Sequence, residues 1–178
     1  MVKLVRFSEA HMELTWRWLT MSPQLREQVD CLAAPSRSEN EAYWRAKLQD
    51  KTREDYAVTD DSLDHIGNCG LSEIDSKRKK AQLWIYIGQN QGRGHGKEAV
   101  RALLSRAFEE LKLERVYLRV LVTNRHACRF YKALGFVEEG CMRHDTVHEE
   151  EYVDSVLLSM LSAEFKASGL ADARNAFL

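Results

Sequence analysis

Residues 91–97 read Gln91-Gly92-Arg93-Gly94-His95-Gly96-Lys97 and join an apolar run at residues 83–87 to a helical pattern at residues 99–111. Three glycines in five residues let the backbone approach an anion closely and turn several N–H groups toward it. A helix that follows such a loop adds the positive end of its dipole. The stretch therefore predicts a phosphate-binding loop between a strand and a helix.

Two common phosphate loops fit this stretch poorly. A Walker A loop requires G-x-x-x-x-G-K-(S/T), but the spacing from Gly92 to Gly96 is one residue short, and Glu98 stands where a hydroxyl residue would hold magnesium. The dinucleotide fingerprint G-x-G-x-x-G is missed because the three glycines form G-x-G-x-G. The spacing argues against an ATPase and against a nicotinamide or flavin enzyme.

A second motif lies further along the chain, at residues 124–136. It follows a strand-like run at residues 116–122 and predicts a helix with Asn124 as its N-cap and Gly135 as its C-terminal stop. Phe136 opens the next predicted strand. The chain thus places two strand-loop-helix units in succession.

Together the two motifs resemble the coenzyme A-binding segment of the GNAT superfamily of acyl-CoA-dependent N-acyltransferases. The family patterns are (Q/R)-x-x-G-x-(G/A) for the loop and N-x-x-A-x-x-x-Y-x-x-x-G-F for the later helix, met here by Gln91, Gly94, Gly96, Asn124, Ala127, Tyr131, Gly135 and Phe136. The resemblance covers roughly residues 66–161. The W-x-W helix at Trp16 and Trp18 and the run Tyr152-Val153-Asp154 are similar to the branch with ribosomal-protein N-terminal and amino-sugar acetyltransferases.

The resemblance implies an α/β (α+β) fold with a mixed, mostly antiparallel central sheet of about seven strands, a V-shaped splay and about four flanking helices. Residues 1–161 are expected to form one domain and residues 162–178 an alanine-rich C-terminal tail that is helical or frayed. The hydrophobic pattern predicts strands at 2–7, 56–59, 66–74, 81–87, 115–122, 136–143 and 152–161, and helices at 10–20, 39–49, 96–111 and 125–134. Residues 21–38 are expected to be a polar connection.

The family pattern also implies where coenzyme A binds. The strand before the glycine loop and the strand after its helix begin parallel and then splay apart, and the wedge between them admits the pantetheine arm. Unpaired amides at the end of the first strand would polarise the thioester carbonyl and stabilise the oxyanion of a tetrahedral intermediate. The matching positions are Ile85, Tyr86, Ile87, Gln91, Gly92, Arg93, Gly94, His95, Gly96, Lys97, Asn124, Ala127 and Tyr131, with Arg129 or solvent at the adenine end.

Acetyl transfer to an amine requires a base for the ammonium and an acid for the departing thiolate. The family pattern puts Tyr131 beside the sulfur, and a phenol with a pKa of about 10 can donate to a thiolate whose thiol has a pKa of about 8.5. The alternative is a tyrosine that only anchors its helix. Many relatives carry a glutamate near the position of Gln82, so Glu73 is the candidate base, with His144 as a further candidate. Glu73 could equally be an exposed charge at a strand end.

The acceptor pocket is expected from the N-terminal helices and the last hairpin. Two-residue spacing places Trp16 and Trp18 about 200° apart on a helix, so one of them could line the cleft or lie under residues 21–38. The expected acceptor is a small-molecule amine, such as an amino sugar or polyamine, or a protein N-terminus. Acetyl-CoA is the expected co-substrate, and no metal is expected, since His144, His148 and residues 149–151 suit a solvated turn.

Composition agrees with a cytoplasmic enzyme that binds neither nucleic acid nor membrane. The formal net charge is −1, and the basic run at residues 77–80 suits a hairpin turn. The four cysteines are scattered and predict reduced thiols. No apolar run is long enough to span a bilayer. The oligomeric state is left open between monomer and homodimer.

Two other classes of function remain open from the sequence. One is a coenzyme A-binding regulatory module without significant catalysis. It remains open because Gln82 stands where many relatives carry a glutamate. The other is a nucleotide-phosphate binding protein that uses the glycine loop for a different ligand. A coenzyme A-dependent N-acetyltransferase accounts for both motifs and is the preferred hypothesis.

Overall fold

A seven-stranded sheet with the order β1-β2-β3-β4-β5-β7-β6 forms the centre of the structure. The computed structural model describes residues 1–29, 31, 33–148, 151–170 and 176–177. The strands are β1 (Lys3–Arg6), β2 (Glu54–Thr59), β3 (His65–Asp75), β4 (Lys80–Ile87), β5 (Arg115–Leu121), β6 (Val137–His148) and β7 (Glu151–Leu161). The predicted mixed, mostly antiparallel sheet of about seven strands is confirmed.

Six α-helices accompany the sheet in the described residues, two more than the sequence predicts. They are α1 (Met12–Met21), α2 (Pro23–Gln28), α3 (Arg37–Gln49), α4 (His95–Ser105), α5 (Arg125–Ala133) and α6 (Ser162–Ala167). The additional helices are short: α2 lies in the segment expected to be a polar connection, and α6 lies in the expected tail. Helix α4 continues as a π-helical turn, Arg106–Glu110, where the Leu111 N–H donates to the Arg106 carbonyl.

The V-shaped splay is also confirmed. Strands β4 and β5 form the only parallel pair among the described strands, and they are paired only at Lys80↔Arg115, Ala81↔Val116 and Gln82↔Tyr117. Beyond Gln82, β4 stays with β3 as far as Ile87, whereas β5 follows β7 as far as Leu121. The two strands therefore part after three residues and leave a wedge between them.

The two faces of the sheet carry different layers. Leu83 of β4 belongs to the larger core with Leu103 of α4 and Phe165 of α6, all of which are buried. The ring of Phe165 packs on Phe108 with 5.2 Å between centroids, so the segment after residue 161 contributes to this core. On the opposite face, Trp84 packs against the smaller clusters formed with helices α1 and α3.

A buried polar network ties α1 to the middle of the sheet. The Asn68 side-chain amide, which is fully buried, donates to Thr15 Oγ1 at 2.8 Å and to the Tyr86 hydroxyl at 2.6 Å. The Asn68 carbonyl oxygen lies 2.8 Å from His65 Nε2. Buried polar groups are costly unless they are paired, so this network fixes α1 over β3 and β4.

Burial of His65 makes stability depend on pH. Desolvation lowers the pKa of His65, and that of His11 beside it. The unfolded chain therefore binds a proton at a higher pH than the folded protein does, and stability is full above about pH 6.5 and falls as the pH is lowered below that value. We expect the urea midpoint to fall between pH 7.5 and pH 5.5, and to fall less in His65→Gln because one of the two partly buried imidazoles is gone.

The matched control is His126→Gln, since His126 is exposed on α5. Its urea midpoint should follow that of the wild-type protein at every pH. If the urea midpoints of His65→Gln and the wild-type protein fall equally as the pH is lowered, His65 does not contribute to the loss of stability in acid.

Candidate functional site

A cavity of about 730 Å³ opens where β4 and β5 separate. Its walls come from the splayed strands, from helices α1, α3 and α5, and from the β6–β7 hairpin. The lining residues from the splay and α5 are Gln82, Leu83, Trp84, Ile85, Tyr86, Leu118, Arg119, Val120, Leu121, Asn124, Ala127 and Tyr131. The expected contribution of the N-terminal helices and the last hairpin is present as Leu19, Glu39, Asn40, Tyr43, Trp44, Asp145, Thr146 and Ser155.

The wedge exposes backbone groups of β4 that no strand pairs. The Gly88 N–H donates to the Ile66 carbonyl at 2.8 Å. In an antiparallel pair the backbone N–H and C=O groups of alternate residues point to the partner strand, so those of the even-numbered residues of β4 point to β3. The N–H groups of Ile85 and Ile87 therefore face away from β3, past the point where β5 has left. Tyr86 differs from its predicted role, because its amide pairs with β3 and its hydroxyl accepts from Asn68.

The glycine loop has the geometry of an anion cradle. Positive φ values recur at alternate residues, Asn90 (56°), Gly92 (78°) and Gly94 (86°), and such alternation turns successive N–H groups toward one point. Among the described residues, the N–H groups of residues 91–96 have no hydrogen-bond partner. A Cβ added at Gly92 or Gly94 would meet nothing within 4 Å, so the space beside both glycines is open.

The side chains of the loop divide into anchors and free cations. The Gln91 side-chain amide donates to the Ile87 carbonyl at 2.7 Å and so fastens the loop to the end of β4. Arg93 and Lys97 are exposed, whereas His95 is half-buried with Nδ1 unpartnered among the described residues. A Cβ at Gly96 would lie 3.9 Å from Ile87 and from Phe130, which places the loop against both β4 and α5.

Helix α5 is held at both ends by its own sequence. Asn124 Oδ1 accepts a hydrogen bond from the Ala127 N–H at 3.0 Å, so the predicted N-cap is confirmed. Gly135 has φ 95°, and the Gly135 and Phe136 N–H groups donate to the Lys132 and Tyr131 carbonyls, which together form a Schellman motif. The predicted stop at Gly135 is confirmed.

Tyr131 is fixed by this C-terminal motif and lies in the cavity wall. Its ring packs on Phe136 at 5.5 Å, the hydrophobic contact that accompanies a Schellman motif, and the side chain is buried. Its side chain lines the cavity. Burial raises the pKa of Tyr131 above its ordinary value, so the phenol stays protonated at neutral pH.

Glu73 reaches the same cavity from a bulge near the end of β3. Its backbone is left-handed (φ 51°), and its carboxylate accepts a hydrogen bond from the Tyr117 hydroxyl. Burial and the nearby Glu73 raise the pKa of Tyr117 to about 12. Gln82 of β4 pairs with Ser72 of β3 on one side and with Tyr117 of β5 on the other.

The hairpin contributes Asp145, which no sequence motif singles out. A register shift between Met142 and Thr146 turns the Asp145 side chain inward, where it is 11% exposed and 3.3 Å from Arg119. His144, a candidate base from the sequence, instead lies outside the cavity wall, exposed and stacked on Tyr152 at 5.0 Å. Part of the predicted turn, residues 149–150, lies outside the described residues.

Neither tryptophan of the W-x-W pair lines the cavity. Trp16 Nε1 donates to the Pro35 carbonyl at 2.9 Å, under the 21–38 segment, and Trp18 is buried beneath Gly88, where a Cβ would lie 2.1 Å from its ring. Trp44 and Trp84 line the cavity instead. The packing of α1 and α3 on the sheet determines that Trp44 and Trp84, and not Trp16 and Trp18, line the cavity.

No group of three or more His, Cys, Asp or Glu side chains in the described residues is placed to hold a metal ion. The four cysteines are unbridged. Within the same residues, no helix has the length and apolar character needed to cross a membrane.

Arg129, suggested for the adenine end of coenzyme A, is exposed on α5.

The model of the acetyltransferase (GNAT) domain matches residues 2–137, so the chain belongs to the GNAT acetyltransferase family. It is 28% identical to the spermidine N(1)-acetyltransferase of Vibrio cholerae over 128 residues, which are 71% of this chain and 74% of that protein. It is 32% identical to the putative ribosomal N-acetyltransferase YdaF of Bacillus subtilis over 101 residues, 56% of this chain and 55% of YdaF.

The chain is also 30% identical to the uncharacterized N-acetyltransferase p20 of Bacillus licheniformis, over 56% of this chain and 57% of p20. It thus spans a little over half the length of p20 and YdaF. The crystal structure of Vibrio cholerae spermidine N-acetyltransferase in complex with CoA and spermine superposes with a TM-score of 0.85 at 23% identity, covering 93% of this chain and 98% of that one. This superposition establishes the fold.

Proposed function

We propose that the protein transfers an acetyl group from acetyl-CoA to a primary amine. The observation that carries the proposal is the wedge between β4 and β5, whose unpaired amides lead directly into the glycine cradle. The family match and the CoA complex of the Vibrio cholerae neighbour support it. A cytoplasmic location and a monomer or homodimer belong to the same proposal.

The residues at the wedge fit coenzyme A. A diphosphate needs several N–H donors on an open concave surface, and residues 91–96 offer such donors beside Arg93 and Lys97. The amide-bearing pantetheine arm needs backbone partners, which Leu83 and Ile85 offer along the splayed strand. Asn124 already uses its side-chain oxygen in the N-cap, so Ala127 and Asn124 would act through packing.

Acetyl-CoA, when bound, supplies an acetyl thioester for attack by the amine. The amides of Ile85 and Ile87 would donate to the oxygen that gains negative charge. Glu73 would take the proton of the ammonium directly or through one water molecule, and Tyr117 holds its carboxylate in place. Tyr131 would hold its proton toward the departing sulfur.

The acceptor is proposed to be a small amine, with a protein N-terminus as the alternative. Three carboxylates, Glu39, Glu73 and Asp145, line the cavity and favour a cationic acceptor. Relatives named for spermidine and spermine support a polyamine. A coenzyme A-binding regulatory module remains the second candidate, because Gln82 cannot act as a base.

Coenzyme A binding tests the cofactor half of the proposal. Coenzyme A should raise the melting temperature, whereas ATP and NAD should not, since a ligand stabilises only the state that binds it. Gly94→Ala should weaken binding measured by calorimetry, because a Cβ at φ 86° strains the cradle. Gly140→Ala is the control, as that glycine meets nothing within 4 Å and lies on β6. Equal stabilisation by ATP would contradict a coenzyme A site.

Tyr131→Phe tests the acid. The variant should keep its affinity for coenzyme A, because the ring and its packing on Phe136 are retained. Its kcat for thiol release should fall by about 100-fold, the usual contribution of a general acid. Tyr152→Phe, on an exposed tyrosine, is the control. An unchanged kcat would leave Tyr131 as a helix anchor only.

Glu73→Gln tests whether Glu73, and not Asp145, is the general base. The variant should lower kcat/KM by about 100-fold or more at neutral pH, because glutamine keeps the size of the side chain but cannot accept the proton. Asp145→Asn should have a smaller effect, since Asp145 is paired with Arg119. The reverse order of the two effects would assign the base to Asp145.

A further inference from the structure

One end of the cavity carries a partly buried guanidinium, and one of its nitrogens has no hydrogen-bond partner among the described residues. Arg53, directly before β2, donates through Nε and Nη2 to the two oxygens of Asp55, at 3.1 and 2.8 Å. The Arg53 side chain is 11% exposed and that of Asp55 is 4% exposed, so the pair is built into the protein. Nη1 of Arg53 has no hydrogen-bond partner among the described residues, although the side chain lines the cavity.

A second unsatisfied donor lies beside this guanidinium. The Arg53 guanidinium lies 5.8 Å above the ring of Trp84, whose buried Nε1 also has no partner among the described residues. Gly70 makes this arrangement possible, because a Cβ there would lie 2.8 Å from Trp84 Nε1 and 2.9 Å from Asp55 Oδ1. Trp84 Nε1 is enclosed by protein atoms, whereas Arg53 Nη1 is not, so Nη1 is the donor that an acceptor atom in the cavity can reach.

We propose that the acceptor amine carries a carboxylate or carbonyl oxygen, and that Nη1 of Arg53 binds this oxygen while the amine faces Glu73. The inference rests on the proposed acetyltransferase activity and deepens it by naming the substrate class: amino acids, their amides or peptides. Arg53 then determines specificity and takes no part in proton transfer.

The register of the sheet puts the two ends of such a substrate within reach. Glu54 pairs with Leu71, so Arg53 lies beside Ser72, and Ser72 pairs with Gln82 at the point where the splay begins. Adjacent strands are about 4.8 Å apart, so the Arg53 backbone is about 10 Å from the wedge. A substrate that spans part of this distance can present an amine to Glu73 and an oxygen to Arg53.

A plain polyamine fits this end poorly. Protonated amines bring donors and positive charge, whereas both unsatisfied groups here are donors and one is a cation. The carboxylates Glu39, Glu73 and Asp145 lie elsewhere around the cavity wall and suit the ammonium of the acceptor. The cavity therefore offers both signs of charge, as a zwitterionic or peptide-like amine requires.

Matched amines test the proposal. The panel is three sets with a common skeleton: glycine, glycinamide and ethylamine; ornithine, ornithinamide and putrescine; lysine, lysinamide and cadaverine. Thiol release from acetyl-CoA gives kcat/KM for each. In at least one set, the wild-type protein should prefer an oxygen-bearing member over the plain amine by about 10-fold or more, as expected for one charge-assisted hydrogen bond. The acid and the amide then distinguish a carboxylate from a carbonyl.

Arg53→Lys should reduce that preference toward unity, while coenzyme A still raises the melting temperature. Lysine keeps a charge beside Asp55 but lacks the second arm of the guanidinium. Because the preference is compared between two enzymes, the intrinsic reactivity of each amine cancels. The double variant R53Q/D55N removes both charges together and should lose the same preference. Arg78→Lys, in the exposed β3–β4 turn, is the control.

Two results would overturn the proposal. One is equal kcat/KM within every set, or a preference for the plain diamines, in the wild-type protein. The other is an unchanged preference in both Arg53 variants. Absence of thiol release with every amine, while coenzyme A still binds, would instead contradict the acetyltransferase activity on which the proposal rests, and would overturn both.

Discussion

The separation of β4 from β5 after Gln82 determines where the cavity lies and which residues surround it. A sheet normally pairs its backbone groups, and strand groups without partners are costly unless a ligand or water takes their place. Here each strand keeps its outer neighbour, β3 or β7, so the sheet stays continuous while the wedge stays open. Helix α5 and the glycine loop then border the opening, since Gly96 lies against both Ile87 and Phe130.

Because β4 and β5 separate, the donor, acid and carboxylate groups of the candidate site come from different elements around the cavity. Backbone donors come from β4 and the loop, a protonated phenol comes from Tyr131, and carboxylates come from the β3 bulge and the β6 bulge. Both bulges use a left-handed residue, Glu73 itself and His144 next to Asp145. Such bulges re-aim a side chain and shift the register of the strand beyond them, as the pairing of β3 with β4 and of β6 with β7 shows. The irregular positions of this sheet are therefore those that supply the candidate site.

Local signals in the sequence predict much of this arrangement. Asn124, Gly135 and the alternating glycines at positions 92 and 94 act through their own backbone conformation, so their roles are visible in the sequence. The splay itself came from the resemblance of two motifs to one family and not from periodicity. The cofactor-binding and catalytic residues named from that resemblance remain proposals. Six of them line one cavity, namely Glu73, Ile85, Tyr86, Asn124, Ala127 and Tyr131, whereas Ile87 and residues 91–97 are not part of its wall.

The parts that the sequence did not predict depend on long-range packing. Helix α2 is short and weakly patterned, and its place is decided by Leu25, which is buried beside Trp18 and Tyr86. The inward turn of Asp145 requires the register of β6 against β7, and the choice of Trp44 and Trp84 over Trp16 and Trp18 requires the docking of α1 and α3. Arg53 and Asp55 share a face because they are two residues apart beside β3, a signal that becomes meaningful only once Gly70 is seen to leave room for them.

A crystal structure with coenzyme A tests whether the wedge between β4 and β5 is the cofactor site. We expect the pantetheine arm to lie in the wedge with hydrogen bonds to the backbone of Leu83 or Ile85. The diphosphate should accept from the N–H groups of residues 91–96, and the sulfur should lie near the Tyr131 hydroxyl. Coenzyme A bound outside the wedge, or β4 and β5 closed and paired beyond Gln82 in the complex, would contradict this expectation.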